Sequence, residues 1–198
     1  MIKKLFDFLA SLIGVIILSP ILLIISLAIK LGSSGPIFYH SLRTGKNKKL
    51  FKVYKFRTLV INADKIGGPS TSDDDPRLTK IGKFLRKYKL DELPQLFNVI
   101  KGEMSLVGPR PEVPEYAKLY KDKEQIIFSV KPGITDLASF WNSDEGAILK
   151  GSPDPEKTYL EKIRPEKVRL QIKYIKEKSF FGDLKIIFKT LKKIFENE

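Results

Sequence analysis

Two adjacent carboxylates, Asp91 and Glu92, are the residues of this sequence whose types best suit catalysis. They come at the start of a segment whose apolar residues follow helical spacing, so the first interpretation is that they cap a helix. The free N–H groups at a helix start also bind phosphate, and a carboxylate held beside a bound phosphate can attack its phosphorus. Capping and phosphoryl chemistry therefore both remain open for this pair.

Three arginines stand in separate segments that could supply the positive charge such an attack needs. Arg57, with Lys55 nearby, lies in a β-rich run, Arg86 precedes the carboxylates, and Arg110 stands between two prolines. The prolines restrict the backbone around Arg110, which suits a guanidinium positioned for bidentate phosphate binding. For each arginine alone, a surface or ion-pair role is the default. If they converge on Asp91, they form a pocket for a diphosphate, together with a divalent cation.

The composition excludes several other kinds of site. The chain has 198 residues, and 36 Lys and Arg against 23 Asp and Glu give a formal charge of +13. This charge indicates an anionic partner, which can be nucleic acid, anionic lipid or a phosphorylated substrate. The absence of cysteine and the single histidine, His40, exclude disulfides, thiolate zinc sites, cysteine nucleophiles and multi-histidine metal sites. The length predicts one domain with a core.

The elements that position the carboxylates begin with an apolar segment that is long enough to enter a membrane. Phe8–Ile29 carries no charge. Ser19 and Pro20 fall near its middle and are predicted to break the helix, which leaves two halves of about 10–12 residues, too short to cross roughly 30 Å of hydrocarbon. Basic residues flank both ends, and basic flanks prefer the cytoplasm. We therefore predict a re-entrant membrane helix over residues 1–31; a kinked helix that crosses fully is the alternative.

The remaining residues, 32–198, are predicted to form an α+β catalytic unit that is mainly helical. Two β-rich runs, 37–40 and 50–59, flank a turn at 44–48 and predict a short β-hairpin. A helix with Thr79 as its cap is expected over 78–88.

Three further segments follow from the same patterns. The carboxylate pair is expected to open a helix that begins at about Asp91 and ends at Gly102. Residues 62–76 are expected to form a mobile loop, in which the run Asp73–Asp75 is a solvated acidic stretch rather than a metal site. From Asp183 onward, lysines and apolar residues occupy opposite faces, which predicts a basic amphipathic helix that lies in a headgroup layer or packs on the core. Its apolar positions are Leu184, Ile187, Phe188, Leu191, Ile194 and Phe195.

Four motifs occur in order at a familiar spacing: Lys55–Thr58, Leu90–Gln95, Ser105–Pro111 and Lys131–Thr135. Together with the apolar segment interrupted at Ser19-Pro20, they resemble the bacterial sugar transferases, or monotopic phosphoglycosyl transferases. The resemblance covers nearly the whole chain, and the length is similar to that of the small members.

The resemblance implies a reaction and a location. A sugar 1-phosphate would move from a UDP-sugar to polyprenol (undecaprenyl) phosphate and begin a glycan, on the cytoplasmic face of a bacterial inner membrane. Asp91 would be the nucleophile that forms a phosphosugar–aspartyl intermediate and would also bind Mg²⁺, with Glu92 as its partner in the dyad. Membrane lipids, including anionic headgroups, are expected partners, and nucleic acid is not. The predicted phosphate-binding residues are Lys55, Arg57, Arg86, Arg110 and Lys131.

One departure from the family pattern bears on specificity. The family commonly has glycine after the Pro-Gly-Ile-Thr run, where this chain has Asp136, followed by Ser139. Sugar and nucleotide specificity are therefore not transferred from better-known members. Two other functions remain as alternatives: a catalytically silent membrane scaffold for glycan enzymes, and a membrane-tethered nucleic-acid-binding protein, for which no recognisable module is found.

Overall fold

The computed structural model describes residues 2–68, 70–142 and 145–196, which are mainly helical with two small sheets. The helices within these ranges are α1 (Ile2–Gly32), α2 (Lys80–Lys87), α3 (Gln95–Ile100), α4 (Pro114–Ala117), α5 (Leu137–Trp141), α6 (Glu145–Leu149), α7 (Pro155–Thr158), α8 (Arg164–Glu177) and α9 (Phe180–Glu196). A π-helical segment, Tyr159–Ile163, joins α7 to α8. The predicted class, mainly helical with a short β-hairpin, is confirmed.

The β-hairpin consists of β1 (Phe38–Thr44) and β2 (Leu50–Phe56), paired antiparallel. Arg43 lies opposite Phe51, and Lys55 lies opposite Tyr39. Since side chains alternate between the faces of a strand, Arg43 and Lys55 project from the same face of the hairpin. Val53, on that face, is buried, so the hairpin directs both cations toward the interior of the molecule.

A second sheet, which the sequence patterns did not predict, joins two of the motifs. β3 (Ser105–Val107) and β4 (Gly133–Thr135) are parallel. Behind them the backbones approach so closely that a Cβ on Gly108 would lie 2.5 Å from the Lys131 carbonyl oxygen, and a Cβ on Gly133 would lie 2.1 Å from the Gly108 nitrogen. These glycines allow the close approach that places Arg110 next to β4.

The long helix α1 contacts the rest of the chain near both of its ends. Asp7 and Ser11 are buried in its first part and Ile25 and Ile29 in its last part, whereas no described residue between Ser11 and Ile25 is buried. α1 is long and apolar enough to cross a membrane by length and composition. Gly14 lies against Leu96 of α3, where an added Cβ would be 3.5 Å from the leucine side chain. Most of the middle nevertheless presents an apolar surface to the surroundings, and both ends are anchored on the same protein unit.

The Ser19-Pro20 pair lies midway between these anchors, inside a helix assigned continuously from Ile2 to Gly32. Pro20 has no N–H to donate to the carbonyl oxygen of Ile16, four residues earlier. The Ser19 hydroxyl donates to that oxygen instead, at 2.8 Å. At this pair the helix therefore lacks one backbone hydrogen bond, and a serine hydroxyl satisfies the same carbonyl oxygen. A break of the helix at Ser19-Pro20 stays a prediction.

The cap of α2 matches the prediction, because the Gly82 N–H donates to Thr79 Oγ1 at 3.0 Å. The next helix was predicted too early: Asp91 and Glu92 lie in a 3₁₀ turn, Leu90–Glu92, and α3 begins only at Gln95. Because Pro94 has no N–H, it cannot donate the α-helical hydrogen bond to the Leu90 carbonyl. This carbonyl accepts from the Leu93 N–H instead, which is a 3₁₀-type hydrogen bond. Asp91 therefore does not cap α3.

The amphipathic helix α9 begins at Phe180, three residues before the predicted start. Ile186 on one of its faces lies in the core, while Phe181 and Phe188 are 81% and 71% exposed. The Lys3 ammonium lies 2.6 Å from the Asp183 carboxylate and ties the start of α1 to α9. The side chains of Ile194 and Phe195, two of the predicted apolar positions, lie outside the described part.

The segment predicted as a mobile loop, 62–76, is bound to its surroundings at several points. Arg77 binds both carboxylate oxygens of Asp75 and donates to the Gly68 carbonyl, and the Ser70 N–H donates to the Glu156 carboxylate. Asp73 and Asp74 are exposed, as expected for a solvated acidic stretch, whereas Asp75 is buried with Arg77.

Candidate active site

Glu92 is held between two cations. Its Oε1 lies 2.6 Å from Lys55 Nζ on β2, and Arg110 donates to both of its oxygens, with 3.0 Å between Nη1 and Oε2. Burial alone would raise the pKa of Glu92, but Arg110 and Lys55 hold it well below its usual range. Glu92 is therefore a fixed anion whose oxygens are occupied by protein groups.

Asp91, the preceding residue, differs from Glu92 both in its partners and in its pKa. The residue is 6% exposed, and within the described residues its carboxylate has no hydrogen bond or ion pair. Burial raises the pKa of Asp91 and the charge of Glu92 adds to this, while Lys55 opposes it most strongly, followed by Arg86. The environment thus separates the pKa values of two adjacent carboxylates, a pattern that assigns them different roles.

Arg110 is positioned by Asp136, the residue that departs from the family pattern. The Arg110 N–H donates to Asp136 Oδ2 at 3.2 Å, and the fully buried Asp136 also caps α5 by accepting from the Ser139 N–H at 2.6 Å. Gln171 of α8 donates to Asp136 at 3.3 Å. Asp136 therefore connects the turn that bears Arg110 with α5 and α8. The sequence marked this position as unusual but did not indicate its partner.

A further buried network lies behind Arg110. Glu112 accepts from Lys167 and from the Tyr159 hydroxyl, both at 2.9 Å, and the Arg43 guanidinium lies 4.0 Å from it. Burial would raise the pKa of Glu112, but Lys167 lowers it below the usual range. Burial lowers the pKa of Arg43, and the charge of Arg110 adds to this effect. Burial also lowers the pKa of Lys55, and the charges of Arg110 and Arg43 act in the same direction. Sequence reasoning missed Arg43, although strand alternation on β1 and β2 places it on the face that bears Lys55.

The five predicted phosphate-binding residues do not all meet. Lys55 and Arg110 contact Glu92 directly, and Arg86 acts on the Asp91 carboxylate. Arg57 is buried elsewhere: its guanidinium donates to the Ser33 and Ser34 carbonyls at the end of α1. Lys131 lies beside Gly102, and burial lowers its pKa, with Lys4 of α1 adding to the effect. Within the described residues, Lys55 and Arg110 thus contact the carboxylate pair through Glu92, and Arg86 lies close enough for its charge to lower the pKa of Asp91.

The donor set around Asp91 fits a magnesium ion that is completed by a ligand. In the described ranges, no group of three or more His, Cys, Asp or Glu side chains could hold a metal alone. Mg²⁺ in proteins commonly takes one or two carboxylates and completes its octahedron with phosphate oxygens and water. The Asp91 carboxylate, free of protein partners in the described part, can supply such a ligand.

The site as a whole combines an available carboxylate with converging cations. Asp91 is unpaired within the described residues, the charges of Lys55 and Arg86 act on it, and Arg110 binds the neighbouring Glu92. A carboxylate in such a setting can attack an electrophilic phosphorus, and the cations can stabilise the negative charge that develops on the phosphoryl oxygens. The site can therefore catalyse phosphoryl transfer through an acyl phosphate formed on Asp91.

Comparisons with known proteins agree with this chemistry. The profile of the bacterial sugar transferase family matches residues 1–197. The chain is 39% identical over 198 residues to an undecaprenyl-phosphate glucose phosphotransferase of Komagataeibacter xylinus. It is 40% identical over 203 residues to a UDP-glucose:undecaprenyl-phosphate glucose-1-phosphate transferase of Klebsiella pneumoniae. These matches include 96% and 99% of this chain but only 35% and 40% of the two relatives.

A relative of similar length also matches. The uncharacterized sugar transferase EpsL of Bacillus subtilis is 37% identical over 197 residues, which cover 100% of this chain and 89% of the relative. The similarity therefore extends over α1 and the carboxylate site together.

Proposed function

The chain belongs to the bacterial sugar transferase family, and we propose that it is a phosphoglycosyl transferase that moves a sugar 1-phosphate from a UDP-sugar to undecaprenyl phosphate. The observation that carries this proposal is the contrast between the carboxylates, with Glu92 bound by Lys55 and Arg110 and Asp91 available beside them. The name of the Klebsiella pneumoniae relative states both substrates, UDP-glucose and undecaprenyl phosphate, and the name of the Komagataeibacter xylinus relative states undecaprenyl phosphate and glucose.

The reaction has two displacements at one phosphorus. An Asp91 oxygen attacks the β-phosphorus of the UDP-sugar, the bond to the bridging oxygen breaks, and UMP leaves with the electron pair. A phosphate oxygen of undecaprenyl phosphate then attacks the phosphorus of the phosphosugar–aspartyl intermediate. The carboxylate of Asp91 is released, and the product is an undecaprenyl diphosphate sugar. Such a sequence predicts ping-pong kinetics.

Glu92 has a positioning role in this scheme. Both of its oxygens are engaged by Lys55 and Arg110, and its pKa is held well below the usual range. It therefore stays ionised at neutral pH and fixes the two cations that face the transferred phosphoryl group. Mg²⁺ held by Asp91 and the substrate diphosphate would neutralise charge on the phosphate oxygens.

The membrane placement follows from the two anchors of α1. The 31 residues of α1 would span about 46 Å as a straight helix, more than the hydrocarbon core of about 30 Å. A straight crossing would separate the ends, yet Asp7 contacts Ser105 at 2.7 Å and Ile29 packs with Leu85. These contacts support re-entry from one face, with Ser19-Pro20 at the apex. The basic residues at both ends of the segment favour the cytoplasmic face, so that the proposed enzyme is monotopic on the cytoplasmic side of the inner membrane. The exposed phenylalanines and lysines of α9 suit a headgroup layer with anionic lipids.

Cysteine labelling tests the topology, because the chain has no cysteine. We expect Ile2→Cys and Lys46→Cys to react with a membrane-impermeant maleimide only from the cytoplasmic side of oriented vesicles. Lys46 is chosen in preference to the neighbouring Gly45, because a Cβ on Gly45 would lie 3.1 Å from the Phe51 ring. Labelling of the two positions from opposite sides would show that α1 crosses the bilayer.

The activity itself is tested by incubating the purified chain with undecaprenyl phosphate and a panel of UDP-sugars, with release of UMP as the readout.

The pH dependence of the activity tests the role of Asp91. Asp91 must be ionised to attack, and its pKa is raised above the usual 3.8 by burial. We therefore expect kcat/KM to fall as the pH drops through this raised pKa, at a pH where an exposed aspartate would still be ionised. Absence of UMP with every donor would favour the scaffold alternative, and an acid limb at or below 3.8 would contradict the assignment of the limb to Asp91.

A further inference from the structure

Helix α2 presents three different surfaces around the carboxylate site. Leu85 is fully buried and packs, with Ile81, against Ile25 and Ile29 of α1. Leu90, next to Asp91, packs against the same cluster, and the charge of Arg86 lowers the pKa of Asp91. The remaining surface faces outward, so that α2 connects the membrane helix on one side with the catalytic carboxylate on another.

The outward surface of α2 carries an aromatic pair. Phe84 is 52% exposed, and its ring lies 4.9 Å from the ring of Tyr88, one helical turn later. Lys87 Nζ lies 5.3 Å from the centroid of the Tyr88 ring. Two further exposed lysines, Lys80 and Lys83, belong to the same helix. An apolar surface bordered by ammonium groups is thus located next to Arg86.

We propose that Phe84 and Tyr88 bind the first isoprene units of the polyprenyl phosphate acceptor, with Lys87 attracting its phosphate toward Arg86 and Asp91. This inference rests on the proposed function and names the surface by which the lipid substrate approaches the intermediate.

Three observations favour an isoprenoid over the other substrate. α2 packs against the membrane helix α1, so a tail held in the lipid layer can reach Phe84 while its phosphate remains at headgroup level. The apolar pair and the lysines match the two parts of an amphiphilic anion. The rings of Phe84 and Tyr88 are inclined at 54°, so the pair does not form a parallel slot for the flat base of a nucleotide.

The test compares Phe84→Ser with Phe181→Ser, which removes a more exposed phenylalanine from α9. Three quantities are measured: UMP released in a single turnover without acceptor, KM for undecaprenyl phosphate at fixed detergent mole fraction, and co-sedimentation with vesicles of phosphatidylethanolamine and phosphatidylglycerol. For Phe84→Ser we expect an unchanged UMP burst, unchanged co-sedimentation and an acceptor KM raised about tenfold. Phe84→Leu should restore KM, and Phe181→Ser should leave it unchanged.

Several results would overturn the inference. A lost UMP burst in Phe84→Ser would assign the pair to the donor site. Equal loss of vesicle binding in Phe84→Ser and Phe181→Ser would make the pair a general membrane contact, and an unchanged KM would remove it from acceptor binding. If the unmodified chain releases no UMP, the proposed function fails, and the inference fails with it. Thermal midpoints of all variants should match that of the unmodified chain, since both phenylalanines are largely exposed.

Discussion

Replacing Asp91 by asparagine is expected to reduce UMP release by at least about 10³-fold, because the amide is not a nucleophile for phosphorus. The fold should not suffer. Burial raises the pKa of Asp91, which means that its ionised form is disfavoured in the folded state. Its carboxylate also has no hydrogen bond or ion pair within the described residues, so Asp91→Asn removes no contact found there. We expect an unchanged or slightly higher thermal midpoint together with the loss of activity.

Asp64→Asn is the matched control, since Asp64 is likewise in a 3₁₀ turn but is exposed and belongs to another segment of the chain. It should retain full activity and stability. If Asp91→Asn kept a tenth or more of the activity, Asp91 would not be the nucleophile. If it instead unfolded the chain, the carboxylate would have a structural role that its surroundings do not indicate.

The second large effect is expected at Arg110. Arg110→Ala removes a guanidinium that stabilises charge on the transferred phosphoryl group, and activity should fall about 10²–10³-fold. It also removes the main cation that lowers the pKa of Glu92, so this pKa should rise. Arg110→Lys retains a charge but not the two-point contact, and we expect it to restore stability more than activity.

An exposed pair on α8 provides the control for Arg110. Arg169 donates to both oxygens of Glu166, at 2.6 and 2.7 Å, with similar bidentate geometry but in solvent. Arg169→Ala should change neither kcat nor the thermal midpoint noticeably, since water and salt screen an exposed ion pair. Equal effects of Arg110→Ala and Arg169→Ala on UMP release would exclude a catalytic role for Arg110.

The sequence was most informative where the determining interactions are local. A turn between two β-rich runs was enough to predict the hairpin, and a threonine before a helical pattern was enough for the cap of α2. The start of α3 was predicted less well, because Pro94 shifts the Leu90 carbonyl to a 3₁₀ partner. That shift moves the carboxylates out of the helix and leaves Asp91 free for chemistry rather than capping.

The interactions that the sequence could not predict join distant segments. Pairing of β3 with β4 depends on close approach at Gly108 and Gly133, and no local pattern indicates which strands will meet. The same holds for Asp136, which binds the backbone of a residue 26 positions earlier. Arg57 illustrates the converse: its residue type suits phosphate, but its guanidinium binds the turn that follows α1.

If Asp91 carries the sugar phosphate between the two substrates, a covalent adduct must form on the protein, and intact-mass spectrometry detects it. The purified chain is mixed with its UDP-sugar without acceptor, and the protein mass and UMP are measured together. We predict a mass increase of one phosphosugar per chain, located on Asp91, with one UMP released, and loss of the adduct when undecaprenyl phosphate is added. UMP release that requires the acceptor, with no adduct at any time, would show direct transfer between the substrates without an aspartyl intermediate.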